Sequence, residues 1–381
     1  MPDSASVLLS QPPVKVWVLA PQLITNDENL DYYYDFSQSI SEYTKVFSEL
    51  NIEWKWQPVT MNNYAAVINE IVLEKKARKS LPIVFNICDG DEINGTPGIS
   101  VVRLLKDEGL IFTGSDAFFY DITTSKICMK KAFDKAGIST PSWMSITEKD
   151  ENLETVFEKL GQPVILKPSV SGGSMGISIK NVVSNLTDLT EQVNKLFAGY
   201  RGWNLEGDGL IAESFINGEE YTCLIVGSHN DPANAIIYHP VERIFHHSLP
   251  DNERFLSFDR LWEIYEEEAP MPENDNFYEY NSPDSTLIDE IKKLSWAAFV
   301  SVKGTGYTRV DIRRDKKTGK MYVLEVNAQC GISEDENYTS IGAILKFSDK
   351  TFTDLVKEII ENAFQRNKAV IAKKTRVKKA A

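Results

Sequence analysis

Apolar residues along this chain follow two rhythms. Short unbroken runs at 14–20 (VKVWVLA), 52–59 and 82–87 are rich in β-branched and aromatic side chains, which predicts buried strands. Between them, 36–50 and 64–79 space their apolar residues three and four apart, as on one face of a helix. Strand and helix thus alternate through the first part of the chain, the mark of βαβ units around a parallel sheet. Ligands of such sheets lie beyond the carboxyl ends of the strands. The polar, glycine-rich segment CDGDEINGTPG, 88–98, falls in that place, ahead of a helix expected over 99–107.

The pattern then changes. A helix is predicted over 121–136, stopped by Gly137 and Pro141. Two strands flank a glycine-rich loop in QPVILKPSVSGGSMGISIKNV, and further strands are expected at 210–216, 220–226 and 235–245. The stretch 246–284 is polar and acidic with little periodicity, and reads as a long loop with a little helix; loops of that length are often functional. A helix over 286–303, strands over 307–313 and 321–327 joined by the turn RDKKTGK, and an amphipathic helix over 352–364 complete the chain. The tail 366–381 is basic and lacks acids, which predicts a disordered end.

Composition narrows the classes of function. The 381 residues suffice for two or three domains, and 42% hydrophobic with 25% charged residues is ordinary for a globular protein. A net charge of −14 argues against nonspecific binding to nucleic acid, whose phosphates it repels. Cys88, Cys128, Cys223 and Cys330 are scattered without a CxxC pair, which fits a reducing compartment and argues against structural zinc. The N-terminus has no basic start followed by an apolar run, and no segment reaches the ~18 apolar residues that span a bilayer. The expectation is a cytoplasmic protein with neither membrane nor nucleic acid as partner.

Three stretches carry candidate chemistry. In VLEVNAQCGIS, 323–333, Glu325 and Asn327 are two apart and project to one side of a strand, with Leu324 and Val326 on the other. In YTRVDIRR, Arg309, Asp311 and Arg313 share a face in the same way. If the two strands pair through the turn at 316–319, Asp311 lies beside Glu325. Two carboxylates and an amide oxygen at one place suit a hard divalent cation such as magnesium, and Arg309 beside them would offset their charge and could hold an anion. By itself the same pattern also describes a polar pair on a solvated sheet face. Second, Lys167 ends an apolar strand, where a buried amine needs a partner. The following loop 169–176, which includes Ser174, offers backbone N–H groups suited to a phosphate. It has neither the Walker pattern nor a dinucleotide fingerprint, and a plain hairpin is an equal reading. Third, IAESFINGEEYTCLIV places Glu213, Phe215 and Ile216 at a strand end, where backbone groups and an apolar wall suit a purine; Glu220 suits ribose hydroxyls. An edge strand and turn would look alike. His246 and His247 lack a third ligand at a suitable spacing, and Cys330 lacks a histidine partner, so surface and packing roles are the plainer readings.

In this order, Lys167 on its strand, the glycine-rich loop, E-x-F-I-x-G-x-E, R-V-D and L-E-V-N-x-x-x-G resemble the ATP-grasp superfamily, and within it the D-alanine–D-alanine ligase family. FNICDG…GTPG…LLKDEGLIFTGSDAFFYDITTSKICMKKAFDKAGISTPSW resembles that family's passage from its first domain into its second, and the likeness runs from 82 to 364 with gaps. The resemblance implies an ATP-grasp α/β fold. Its parts would be an N-terminal parallel α/β (pre-ATP-grasp) domain over 1–116, a central small α+β subdomain with the glycine-rich loop over 117–208, a C-terminal α+β subdomain with the metal site over 209–365, and the basic tail 366–381. It places Lys126 and Lys167 at the α- and β-phosphates of ATP, with Ser174 in the loop that covers them. Glu213, Phe215 and Ile216 would face adenine with Leu324 on its other side, and Glu220 would meet the ribose. Asp311, Glu325 and Asn327 would hold one or two magnesium ions, manganese being the alternative. Arg309 and the Gly331 N–H would stabilise an oxyanion.

The activity so implied is an ATP-dependent carboxylate–amine ligase acting through an acyl phosphate on two small molecules, with lids at the glycine-rich loop and 246–284, and with homodimerisation through the first domain. A small-molecule kinase and a non-catalytic ATP-binding regulatory protein are the alternatives. Several positions depart from the family's pattern. The opening LAPQLITNDENLDYYYDF lacks the glycine-rich turn and acid that hold the first amino acid. Cys88-Asp89-Gly90 stands where a histidine is usual, and Cys330-Gly331 replaces Pro-Gly. SEDENY puts Glu336 where a serine holds the second substrate's carboxylate, so Asp335 and Glu336 would repel that group unless cations intervene. The loop lysine near the γ-phosphate has no match, Arg254 and Arg260 being the nearby basic residues. Both substrate pockets thus read as altered, and substrates other than two D-alanines are expected.

Overall fold

The computed structural model describes residues 13–23, 35–149, 153–272 and 275–380, with backbone alone from 369 onward. The N-terminal 1–12 and most of the divergent opening, 24–34, lie outside the described residues. The chain forms two compact units, one of Met1–Ala117 with Thr305–Tyr307 and Lys350–Ala381, the other of Phe118–Gly304 with Thr308–Asp349.

In the first unit, β1 (Val14–Pro21), β2 (Glu53–Val59), β3 (Leu81–Asn86) and β4 (Ile111–Phe112) form a parallel sheet in the order β2-β1-β3-β4. Trp17, Leu19 and Val84 pack against Ile68, Ile71, Val101 and Leu105 of the flanking helices. Val16 and Val18 are buried on the other face. A strand covered on both sides reads as a continuous apolar run, which is why the sequence marks these strands so clearly. The loop after β3 closes on itself. Glu92 accepts from the N–H groups of Gly98 and Ser100 at 3.1 and 2.7 Å, capping the helix Ile99–Asp107. Gly90 approaches Thr96 so closely that a Cβ there would lie 2.1 Å from a carbonyl oxygen.

The expected disordered end is a correction. The last helix runs Phe352–Ala380, through the basic segment. Residues 366–380 contain no glycine or proline and are rich in lysine, arginine and alanine, all good helix formers. Arg366 donates to the Phe112 carbonyl at 3.1 Å and to Thr305 Oγ1 at 3.4 Å, which fixes this part of the helix within its unit.

The second unit holds two antiparallel sheets. One is formed by β5 (Trp143–Ile146), β6 (Val164–Pro168), β7 (Val182–Val183) and β8 (Leu210–Ser214), in the order β5-β8-β6-β7. The other contains β9 (Glu220–Ser228), β10 (Ile236–Ile237), β11 (Val241–Phe245), β12 (Tyr278–Asn281), β13 (Thr305–Arg314) and β14 (Met321–Ala328). Its order is β12-β11-β9-β13-β14, with β10 paired to β9. One face of this sheet is apolar: Tyr221, Cys223, Ile225, Val310, Ile312, Val323 and Val326 pack on Met129 and Phe133 of the helix Lys126–Ala136 and on Ile291, Ala298 and Phe299 of the helix Ile288–Ser301.

Three elements differ from expectation. The helix predicted over 121–136 is two, Ala117–Thr124 and Lys126–Ala136. Ser125 between them is extended, and its hydroxyl accepts the Cys128 N–H at 3.2 Å; apolar spacing does not register such a cap. The segment 246–284 contains the expected short helix, Phe258–Trp262, and also β12, an unexpected strand that pairs with β11. A helix at Ser340–Phe347 is buried almost all round and so lacks the polar stripe that would have announced it.

Candidate active site

Strands β13 and β14 pair so that Asp311 lies opposite Glu325 and Arg309 opposite Asn327. Asn327 Nδ2 is 2.9 Å from Asp311 Oδ2 and 3.4 Å from Glu325 Oε1, so the three side chains converge. A half-turn of the amide presents its oxygen instead. Arg309 grips Asp311 with Nε at 3.1 Å from both carboxylate oxygens and Nη2 at 2.9 Å from Oδ2, and Thr222 donates to Oδ1 at 3.0 Å. Partial burial opposes ionisation of Arg309, but the Asp311 carboxylate, with Glu325 adding to it and Arg243 working against it, prevails and raises the guanidinium further.

Leu324 corrects the simple alternation. The register shifts between Asp311 and Ile312, whose partners are Glu325 and Val323, so Leu324 is an extra, unpaired residue in a β-bulge. Val323 and Val326, three apart, both reach the core. Leu324 therefore leaves the apolar face assigned to it by alternation and falls on the side of Glu325. The polar groups of Val323 are met elsewhere: its N–H donates to Ser139 O at 2.8 Å and its carbonyl accepts from Thr140 Oγ1 at 2.8 Å.

Arg309, Asp311 and Arg313 project from β13 to the face opposite the core, where Glu220 and Thr222 project from β9. Arg243 on β11 stands opposite Glu220 and pairs with it, and Arg313 Nη2 is 3.7 Å from the same carboxylate. The smaller sheet contributes a second charged cluster. Glu213 is 1% exposed, with Lys130 Nζ at 2.6 Å and Lys167 Nζ at 2.7 Å. Burial alone would raise its carboxyl; the two ammonium groups and their hydrogen bonds hold it at about 2. Burial lowers the Lys126 ammonium, with Glu325 opposing and Lys167 adding to the effect. The two clusters lie within electrostatic reach of one another, Lys167 being influenced by Glu325 and Arg313 as well as by Glu213. Together, six cationic side chains (Lys126, Lys130, Lys167, Arg243, Arg309, Arg313) face four carboxylates (Glu213, Glu220, Asp311, Glu325), which suits an anionic ligand.

The remaining expected residues fall around these clusters. Lys126 opens its helix, its ammonium donating to Ser171 O at 3.0 Å in the glycine-rich loop. Ser174 sits in that loop with φ +62°. The Phe215 ring lies 5.2 Å from the Arg313 guanidinium and 6.0 Å from the Phe255 ring, and Ile216 beside it is half-buried. A Cβ at Gly331 would meet nothing within 4 Å, so its backbone lies open. The Glu213 side chain is turned to the two lysines, which leaves neighbouring backbone and Phe215 to make the apolar wall.

Sequence reasoning missed Lys130, Arg243 and Thr222. Lys130 lies four residues after Lys126 on one helix, a spacing that puts both on one side and could have found it. Arg243 has no comparable signal, because its partner is known only once the strand order is known.

The two lid candidates are one hydrogen-bonded body. Trp262 Nε1 donates to Gly173 O at 2.8 Å, Phe258 N–H to Ile177 O at 2.8 Å, and Ile179 N–H to Glu268 Oε1 at 2.9 Å. Asp259 Oδ2 gathers the N–H groups of Glu266, Glu267 and Glu268 at 3.1, 2.7 and 3.0 Å. Arg254 and Arg260 are committed inside this segment, Arg254 to the Leu249 and His247 carbonyls and Arg260 to Glu253 and Glu268. In SEDENY, Asp335 accepts the N–H groups of Asn337 and Tyr338, and Glu336 pairs with Lys346 at 2.8 Å, so a cation stands beside one of the two acids. His246 is held by Ser248 and Asp275. Among the described residues, no group of three or more His, Cys, Asp or Glu side chains is disposed to hold a metal.

A small antiparallel sheet with a glycine-rich loop, and a larger sheet with acids and an amide on its polar face, make this an ATP-grasp fold. Solved structures share it: D-alanine–D-alanine ligase from Bacillus anthracis complexed with ATP has a TM-score of 0.63 at 19% identity, covering 94% of this chain and 99% of that one. The enzyme from Coxiella burnetii gives 0.65 at 16% identity, covering 97% and 100%. The family profile for the D-ala D-ala ligase C-terminus matches residues 132–361, and the chain belongs to that family. Among curated relatives, the D-alanine–D-alanine ligase of Xylella fastidiosa is 29% identical over 280 residues, 73% of this chain and 80% of that protein. That of Acetivibrio thermocellus is 25% identical over 340 residues, 87% of this chain and 78% of that protein.

Proposed function

We propose that this protein is an ATP-dependent carboxylate–amine ligase that forms an amide bond through an acyl phosphate, with a substrate pair other than two D-alanines. The observation that carries the reading is the convergence of Asp311, Glu325 and Asn327 on one sheet face, within electrostatic reach of Lys126, which donates into the glycine-rich loop. Family membership makes this chemistry the natural use of that arrangement.

Lys126 and Lys167 bind the α- and β-phosphates, and Ser174 with the loop backbone covers them. Phe215, Ile216 and Leu324 enclose the adenine, with the backbone beyond Glu213 along its edge, and Glu220 accepts from the ribose. Asp311, Glu325 and Asn327 are oxygen donors that fit magnesium, which when bound would neutralise charge on the terminal phosphates. Arg309 and the Gly331 N–H stand where an oxyanion develops as the amine attacks. The γ-phosphoryl passes to the substrate carboxylate, leaving ADP; the amine then adds to the acyl phosphate and phosphate departs. An acyl phosphate hydrolyses in water, so the joined lid protects it. Replacement of the family's histidine by Cys88-Asp89-Gly90, and of its serine by a Glu336 that turns to Lys346, supports different substrates. No helix among the described residues is long and apolar enough to cross a membrane.

The direct test is ADP release across pools of carboxylates and amines. Turnover is expected to need one of each, with D-alanine alone inferior to the best pair. Nucleotide binding without stimulation by any pair would remove the ligase reading; D-alanine as the best substrate would remove the substrate claim. The joined lid gives a second expectation. Trp262→Ala removes the bond to Gly173 and should raise KM for ATP roughly fivefold, the value of about one hydrogen bond, and increase ADP release without amine. Unchanged values for both would show that the lid does not depend on this contact.

A further inference from the structure

Glu220 carries a guanidinium at each of its carboxylate oxygens. Arg243, across the sheet, donates from Nη1 to Oε1, and Arg313 Nη2 lies 3.7 Å from Oε2. Both arginines are 4% exposed. Each also reaches a second element. Arg243 donates to the Tyr280 hydroxyl from Nε at 3.3 Å and Nη2 at 3.0 Å, and lies over the Tyr278 and Tyr280 rings at 5.3 and 5.4 Å. Arg313 lies over Phe215 at 5.2 Å and donates to the Arg254 carbonyl, while its buried Nε meets no acceptor among the described residues. Two buried cations around one carboxylate leave an excess of positive charge, a costly arrangement if fold stability were its only purpose. It does, however, hold the carboxylate in one orientation from both ends. Each oxygen retains a lone pair for another donor.

We propose that Arg243 and Arg313 are positioning residues that set the enzyme's discrimination for the nucleotide's sugar. They aim Glu220 at the ribose hydroxyls, and Arg313 ties that orientation to Phe215 at the base. The inference rests on the assignment of Glu220 to the ribose in the ligase reading. It goes further by making ribose selectivity a property of the two arginines rather than of Glu220 alone.

The test compares ATP with 2′-deoxyATP in the wild type, Arg313→Met, Arg313→Lys and Arg243→Lys, using kcat/KM and equilibrium binding, with melting temperatures recorded. The wild type is expected to prefer ATP by about tenfold or more, the worth of one hydrogen bond to a charged group. Arg313→Met should raise KM for ATP about tenfold, with a smaller change in kcat, and reduce the preference to about twofold or less. The two lysine variants keep a charge but lose the fork, and should retain part of the preference. An undiminished preference in folded Arg313→Met, or none in the wild type, overturns the proposal. If Arg313→Met does not fold, full preference in both lysine variants does the same. Selective binding of ATP without turnover would count against the ligase reading and leave this one standing; turnover without sugar preference would do the reverse.

Discussion

Glu325→Gln is expected to lower turnover by about three orders of magnitude while ATP still binds, because in the proposed site the change removes one of the two carboxylates that would hold magnesium at the terminal phosphates. Glutamine keeps the shape and a single acceptor oxygen, so the fold on either side, with Val323 and Val326 in the core, is untouched. Asp311 alone leaves the site one carboxylate short, and its oxygens are shared with Arg309 and Thr222. Steady-state ADP release together with calorimetric nucleotide binding checks this. Turnover within about tenfold of wild type would show that the carboxylate is not at the reacting phosphates.

The second large effect concerns stability. Glu213→Gln leaves Lys130, 1% exposed at its side chain, facing an amide in place of a carboxylate. Breaking a buried pair from one side costs about 3–5 kcal/mol, although Lys167 and Thr140 remain nearby. The loss should lower the melting temperature by roughly 4–6 °C for a chain of this size. The pH dependence has a definite sign. The Glu213 carboxyl is lowered to about 2 in the fold from an ordinary 4.5, so its contribution is present above about pH 4.5 and is lost as pH falls toward 2. The gap between wild type and variant should therefore be flat from pH 8 to about 5 and narrow below that. Denaturant unfolding at a series of pH values measures it, and a gap that stays constant down to about pH 3.5 would refute this account of the pair.

The parallel sheet of the first unit was legible because buried strands write themselves as apolar runs. The polar face of the larger sheet was legible in part, because Glu325 with Asn327, and Arg309 with Asp311, repeat at the strand period. What could not be read were relations between distant segments. Arg243 meets Glu220 because β11 lies beside β9, and nothing local to VERIF announces that neighbour. Trp262 meets Gly173 for the same kind of reason. The helical course of 366–380 was hidden because a run of charge signals solvation, whereas helicity depends on the absence of glycine and proline and on side-chain entropy. Lys346 meets Glu336 because it lies on the helix Ser340–Phe347 that follows, a pairing nothing local to SEDENY announces.

The irregularity at Leu324 makes this residue surplus to the pairing of β14. Deleting it would set Val323 and Glu325 side by side against Ile312 and Asp311, restoring strict up-and-down order with every later side chain on the face it already occupies. The extra residue therefore supplies an apolar side chain and a local kink beside the acids, while the strand's register stands without it.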